Sequence, residues 1–175
     1  DNDLSNGKED IEWLILEVKD GRALVISKYA LDCKAHSKTT WATSDLKRWL
    51  NSDFINTAFS ADERTRIPTV KYTTNPGYTS EDKVFLLSIQ EANYYFSSDE
   101  ERECDATDYA IAEGAYHYES DYSSYKETSW WLRSPGASQG DFACVLPYGK
   151  VDEEGDYSEY IHNAVRPALW IDLGE

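Results

Sequence analysis

Apolar residues come in short runs cut by Gly, Pro, Ser and Asp, the pattern of short paired strands, with helical spacing in between. Residues 11–18 predict a strand, Asp20-Gly21 a tight turn, and Ala23 to Ser27 the returning strand. Residues 32–40 are polar and irregular. Thr43 or Ser44 then caps a helix whose apolar positions Leu46, Trp49, Leu50, Phe54, Ile55 and Phe59 recur near 3.6. Ser60-Ala61-Asp62-Glu63 has the capping-box pattern and opens a second helix that Pro68 ends. Val70 to Thr73 predicts a strand, Asn75-Pro76-Gly77 a turn, and Lys83 to Leu87 a buried strand. Ser88 to Glu91 is another capping box, Glu100 to Glu103 reads as charged loop, and Thr107 to Glu113 is a short helix stopped by Gly114. Ala115 to Lys126, rich in Tyr, Ser, His and Asp, is a long loop.

The last third, Thr128 to Leu173, organises the rest. It contains Trp130-Trp131-Leu132-Arg133-Ser134-Pro135-Gly136, then Phe142 to Leu146, Tyr148 to Val151, and a closing strand within Val165 to Leu173. Successive strand residues face opposite sides, so one of Trp130 and Trp131 is expected in the core and the other towards the loop surface, unless both are buried. Arg133 and Arg166, in apolar strands beside tryptophan, need acceptors or aromatic faces and read as structural pins.

These runs resemble a bacterial domain family of unknown function, common in gut Firmicutes. The resemblance rests on the hairpin Ile11 to Ser27, Thr40-Trp41 with the helix after it, Asp82 to Ser88, Trp130 to Gly136, and Val165-Arg166-Pro167-Ala168-Leu169-Trp170-Ile171. It covers nearly the whole chain. More distantly, the ending is similar to the C-type-lectin-like fold, whose relatives include formylglycine-generating-enzyme-like and retroelement-diversified variable proteins. Those close with a Trp strand, a variable hairpin and an Arg-bearing final strand. The likeness implies an α+β domain, with a small twisted antiparallel sheet flanked by two main helices. Residues 1–10 read as a linker or frayed start, and 11–175 as a single domain.

At 175 residues, such a chain buries roughly 70% of its extended surface. The net charge of −16 argues against nucleic acid and anionic membranes as partners, and no apolar run is long enough to span a bilayer. With no methionine and Asp1 first, the expectation is a removed leader or anchor, or a piece of a longer protein, in an extracellular or cell-surface setting. Cys33, Cys104 and Cys144 allow at most one disulfide, Cys33 with Cys104 being the possible pair. No spacing suggests zinc, and Cys144 reads as a buried small hydrophobe.

No metal or cofactor is expected. Asp152-Glu153-Glu154-Gly155-Asp156 is acidic enough to suggest calcium, but it lacks EF-hand spacing and the lectin calcium loops, and reads as a solvated hairpin tip. No hydrolase, phosphate-loop or dinucleotide motif occurs, and the paired cysteines of the formylglycine-generating enzymes have no counterpart beside Cys144. An enzyme acting on peptide or glycan would have to use His162 with Asp156 or Glu159. The reading preferred here is non-enzymatic recognition of a protein or glycan, with a diversified display protein as a special case. Tyr148, Asp152, Asp156, Tyr157, Tyr160, His162 and Asn163, with Tyr118 and Tyr122 of the upstream loop, have the composition of a paratope. A structural spacer in a surface protein is the third class.

Overall fold

The structure, a computed structural model, describes residues 3–74, 78–117 and 126–174. The turn predicted at Asn75-Pro76-Gly77 and most of the Ala115 to Lys126 loop lie outside the described residues.

The opening hairpin forms as its pattern requires. β1 (Trp13–Lys19) and β2 (Arg22–Ser27) pair antiparallel around Asp20 and Gly21, both left-handed at φ 52° and 73°. The far edge of β2 receives the last strand, β11 (Ala168–Asp172), which in turn pairs with β6 (Val84–Phe85). The result is a four-stranded antiparallel sheet whose two central strands come from opposite ends of the chain. A second sheet has the order β3 (Asp32–Cys33), β10 (Ala164–Val165), β7 (Trp130–Pro135), β8 (Asp141–Val145) and β9 (Val151–Tyr157). Only β10 and β7 are parallel in it. β4 (Val70–Thr74) and β5 (Tyr78–Asp82) form a separate hairpin.

The chain is therefore α+β, with its strands in several small sheets instead of one. The closing run predicted as one strand is two. At Arg166-Pro167 the chain leaves β10 and enters β11 in the other sheet. Proline has no N–H to continue a ladder, so the crossover falls where the sequence interrupts its own hydrogen bonding.

Helices form where the caps sit. Ser44 accepts a hydrogen bond from Lys47 N and opens α1 (Asp45–Trp49), which continues through a π-turn (Leu50–Phe54) into α2 (Ile55–Ala58). Leu46, Leu50, Phe54 and Ile55 turn inward. Asn51 spends its amide on this packing: Nδ2 donates to Val84 O while Oδ1 accepts from Lys83 N and Val84 N, joining the helix to β6. The capping boxes of Ser60 with Glu63 and Ser88 with Glu91 both close, starting α3 (Ala61–Thr65) and α4 (Ile89–Tyr95). The segment read as charged loop is instead α5 (Asp99–Arg102), capped by Ser98, with Arg102 buried. Thr107 caps α6 (Asp108–Ala112).

Trp130 and Trp131 are both fully buried because the five-stranded sheet is covered on both faces. The Trp130 indole donates to Arg102 O at 3.1 Å and the Trp131 indole to Lys34 O at 2.9 Å. The two arginines are pins, as their setting demands. Arg133 forks onto Glu91, donates to Leu86 O at 2.6 Å and lies 4.3 Å from the Tyr72 ring. Glu91 also serves the capping box, and Ser134 Oγ accepts from Ile89 N, so the Arg133-Ser134 pair fixes the start of α4 against β7. Arg166 is equally buried but has only carbonyl acceptors, those of Ser27, Lys28 and Arg102, between the rings of Trp130 and Phe96.

His36 is the unpredicted member of the core. Its ring stacks on Phe142 with centroids 3.6 Å apart and meets Trp41 and Trp131 edge-on. Ser44 Oγ lies 3.2 Å from Nδ1 and 3.1 Å from His36 O, tying the ring to the start of α1. Burial pushes the imidazole pKa down to about 3. The unfolded chain titrates near 6.5 and so binds a proton that the folded chain refuses between those values. The resulting stability is whole above about pH 6.5 and is lost at about 1.4 kcal/mol per unit as pH falls towards 3. Urea unfolding at pH 7 and pH 5 should show a steeper loss for the native chain than for His36→Phe. Equal losses would remove this role.

Candidate functional site

The β8–β9 hairpin and the segment after it carry most of the predicted site. After Tyr157 the chain turns, with Tyr160 N donating to Tyr157 O, and crosses back to β10. This crossing segment is pinned along its length. Ser158 N donates to Gly140 O and Ser37 N to Ser158 O, while the Cys33 thiol donates to Ile161 O at 2.9 Å. His162 Nδ1 donates to Gly114 O at 2.9 Å, and Tyr116 N donates to His162 O at 3.0 Å. The upstream loop thus begins against the same face as the C-terminal crossing.

On this fixed backbone four large side chains stand out into solvent: Tyr157 at 61% exposed, Tyr160 at 40%, Ile161 at 59% and Tyr116 at 52%. The Tyr160 and His162 rings meet edge-on at 5.3 Å. Beneath them Asp156 is partly buried and accepts from Asn163 Nδ2 at 2.7 Å and from the Cys144 thiol at 3.6 Å. Burial, and secondarily the Asp156 charge, raises the Tyr160 hydroxyl pKa. The face combines amphipathic rings, one imidazole and negative charge from below.

The predicted residues do not all gather there. Tyr148 is exposed, but it sits in the tight turn at the other end of the hairpin, beyond the Val145–Val151 pair, whereas Tyr157 lies opposite Asp141. Seven-residue β9 puts about 20 Å between the two ends. Asn163 is buried and donates to Asp156 beneath the crossing segment. The run from Asp152 to Asp156 is not a hairpin tip: it lies inside β9, where alternation sends its carboxylates to both faces. Asp152 pairs across the ladder with Cys144. Tyr118 and Tyr122 lie outside the described residues. Tyr116, at the start of the loop included in the expected face, and Ile161, which that expectation did not single out, are exposed with Tyr157 and Tyr160.

Geometry for catalysis is thin. His162 is turned to Gly114 O, and the Asp156 carboxylate to Asn163 and Cys144, so they bond different partners. All three cysteines are free and buried. Burial pushes the Cys33 thiol up to about 12 and also raises the Cys144 and Cys104 thiols, so they stay protonated and poorly nucleophilic. Among the described residues, no group of three or more His, Cys, Asp or Glu side chains is placed to hold a metal ion, and no helix is long and apolar enough to cross a membrane.

Compared with known proteins, the chain matches one family model over residues 20–173, described as "Domain of unknown function (DUF6273)". Neither the curated proteins nor the solved structures gave a match.

Proposed function

We propose that this chain, which belongs to the DUF6273 family of domains of unknown function, is a non-enzymatic recognition module for a protein or glycan ligand. The observation that carries the reading is the pinned, solvent-facing cluster of Tyr116, Tyr157, Tyr160 and Ile161. Large rings held on a rigid backbone give contact area at little cost in ordering, which is what a binding face needs. Tyrosine with nearby carboxylates suits stacking on sugar rings and bonding to hydroxyls, or a protein surface of basic character.

A C-type-lectin-like architecture belongs to the same proposal. It is supported by the pairing of the opening hairpin with the last strand and by a second, loop-rich sheet that carries the face. So does an extracellular or cell-surface setting, with display-protein diversification of the face as a special case.

The test is a glycan-array and protein-array screen with the purified domain, the Tyr157→Ala/Tyr160→Ala double variant and Tyr94→Ala. Tyr94, on α4, is exposed but outside the cluster. A ligand should bind the native domain and Tyr94→Ala alike, and bind the folded double variant at least about tenfold more weakly. Binding indifferent to the double substitution would discard this face. Turnover of a bound peptide or glycan would discard the non-enzymatic reading.

A further inference from the structure

A second feature is lined by none of the exposed tyrosines of the proposed binding face. A cavity of about 420 Å³ opens between β3, the α1–α2 helix and α6. Its walls include Trp49 and Phe54, while Asp32, Asp53, Glu9, Lys8, Lys34 and Tyr109 bring polar groups to it. That volume suits a small molecule rather than a macromolecular surface.

Asp32 is the informative residue. It is only 6% exposed. Its Oδ1 accepts from Cys33 N at 2.7 Å and lies 3.5 Å from Lys34 Nζ. Among the described residues Oδ2 has no hydrogen-bond partner, although the side chain lines the cavity. Oδ2 is not among the fully buried polar atoms that lack a partner, so it is open to the cavity and free to accept from a ligand there. Burial raises the Asp32 pKa, and its charge is the first cause of a raised pKa at the Tyr109 hydroxyl. Tyr109 therefore feels this carboxylate without bonding it.

Lys34 indicates which chemistry fits. Its ammonium lies beside Asp32 and 4.7 Å from the Trp49 ring centroid, so carboxylate and indole together already hold one alkylammonium. Lys34 occupies the Oδ1 side only. The same cavity is lined by Tyr109 and by apolar Phe54, and Asp53 supplies a second, exposed carboxylate to it. The chain's net charge of −16 favours approach of a cation over that of an anion.

We propose that this cavity binds a short aliphatic di- or polyamine. One ammonium donates to Asp32 Oδ2 and the Tyr109 hydroxyl, the methylene stem lies along Trp49 and Phe54, and the second ammonium reaches Asp53. Isothermal titration calorimetry of the intact domain at about 150 mM salt, with cadaverine, spermidine and the neutral isostere 1,5-pentanediol, tests it. The amines should give saturable one-to-one binding and the diol none. Asp32→Asn, which keeps side-chain shape, should weaken binding at least tenfold, and Asp53→Ala, at an exposed position, several-fold. Circular dichroism of both variants checks that the fold is retained. Absence of saturable amine binding overturns the proposal. So does binding that both variants retain and salt abolishes, which would be diffuse attraction to an acidic surface. Binding of a lysine-rich peptide without binding of either amine would also overturn it, by making the occupant a protein. Because Tyr157 and Tyr160 do not line this cavity, their double variant should bind amine normally whichever way the array screen falls.

Discussion

Arg166→Ala is expected to lower the unfolding free energy by about 3–5 kcal/mol, read as a shift of the urea midpoint at unchanged slope. The guanidinium is fully buried with no carboxylate partner among the described residues, and burial depresses its pKa. What holds it is a ring of carbonyls: Nε donates to Ser27 O at 2.9 Å, with Arg102 O and Lys28 O each at 3.4 Å. Trp130 and Phe96 lie 5.0 and 5.4 Å from it. Truncation leaves a cavity beside Trp130 and strips acceptors of their donor, each loss worth about 1–3 kcal/mol. Arg166→Met separates the two terms. It fills the volume and removes the donors, so it should fall between the native chain and the alanine variant. If alanine costs under about 1 kcal/mol, Arg166 is not the pin between the sheets. If methionine is as stable as the native chain, the carbonyl bonds contribute nothing net, as desolvation of a buried ion allows.

Gly149→Ala should cost at least about 3 kcal/mol and lower the melting temperature by roughly 10 °C. Gly149 has φ +79°, and a methyl there would be driven into the backbone of Asp99. The same glycine offers its carbonyl to Arg102 Nε at 2.8 Å, so the β8–β9 turn is clamped onto α5 from both directions. Gly21→Ala is the control. It has a similar φ of +73° but meets open space, so it carries the backbone strain without the collision. Gly21→Ala should therefore lose only about 1 kcal/mol. Equal losses at the two positions would mean that the turn does not rest on α5.

Much of this architecture could be read from residue order, and the reason is local. Asp-Gly between alternating runs, Ser-x-x-Glu before helices and uninterrupted apolar stretches are each satisfied by neighbours a few residues away. The misses are of the opposite kind. Asp99 to Arg102 reads as solvated charge, yet Arg102 is buried because Gly149, Phe96 and Trp130 meet it from three segments. Only Ser98, which accepts from Glu101 N, marked that helix locally. His36 gave no signal at all, since its aromatic box is assembled from Trp41, Trp131 and Phe142. Grouping Tyr148 with Tyr157 followed closeness in sequence, which a hairpin turns into distance. Tyr116 meets His162 for the converse reason, across a gap that no short pattern spans.

The pairing of β2 with β11 carries a cost in time. Registers such as Leu24 with Trp170 and Val25 with Leu169 link residues nearly a full chain apart. Loop closure on that scale has to precede the contacts that reward it, which slows folding. During synthesis the opening hairpin emerges early and waits, its Ala-Leu-Val-Ile strand offering an unsatisfied edge to any other extended segment. The partner that ends this exposure, Ala168–Asp172, is made only after all the residues in between. Chaperone demand and aggregation of nascent chains should therefore track the interval before residues 168–172 leave the ribosome.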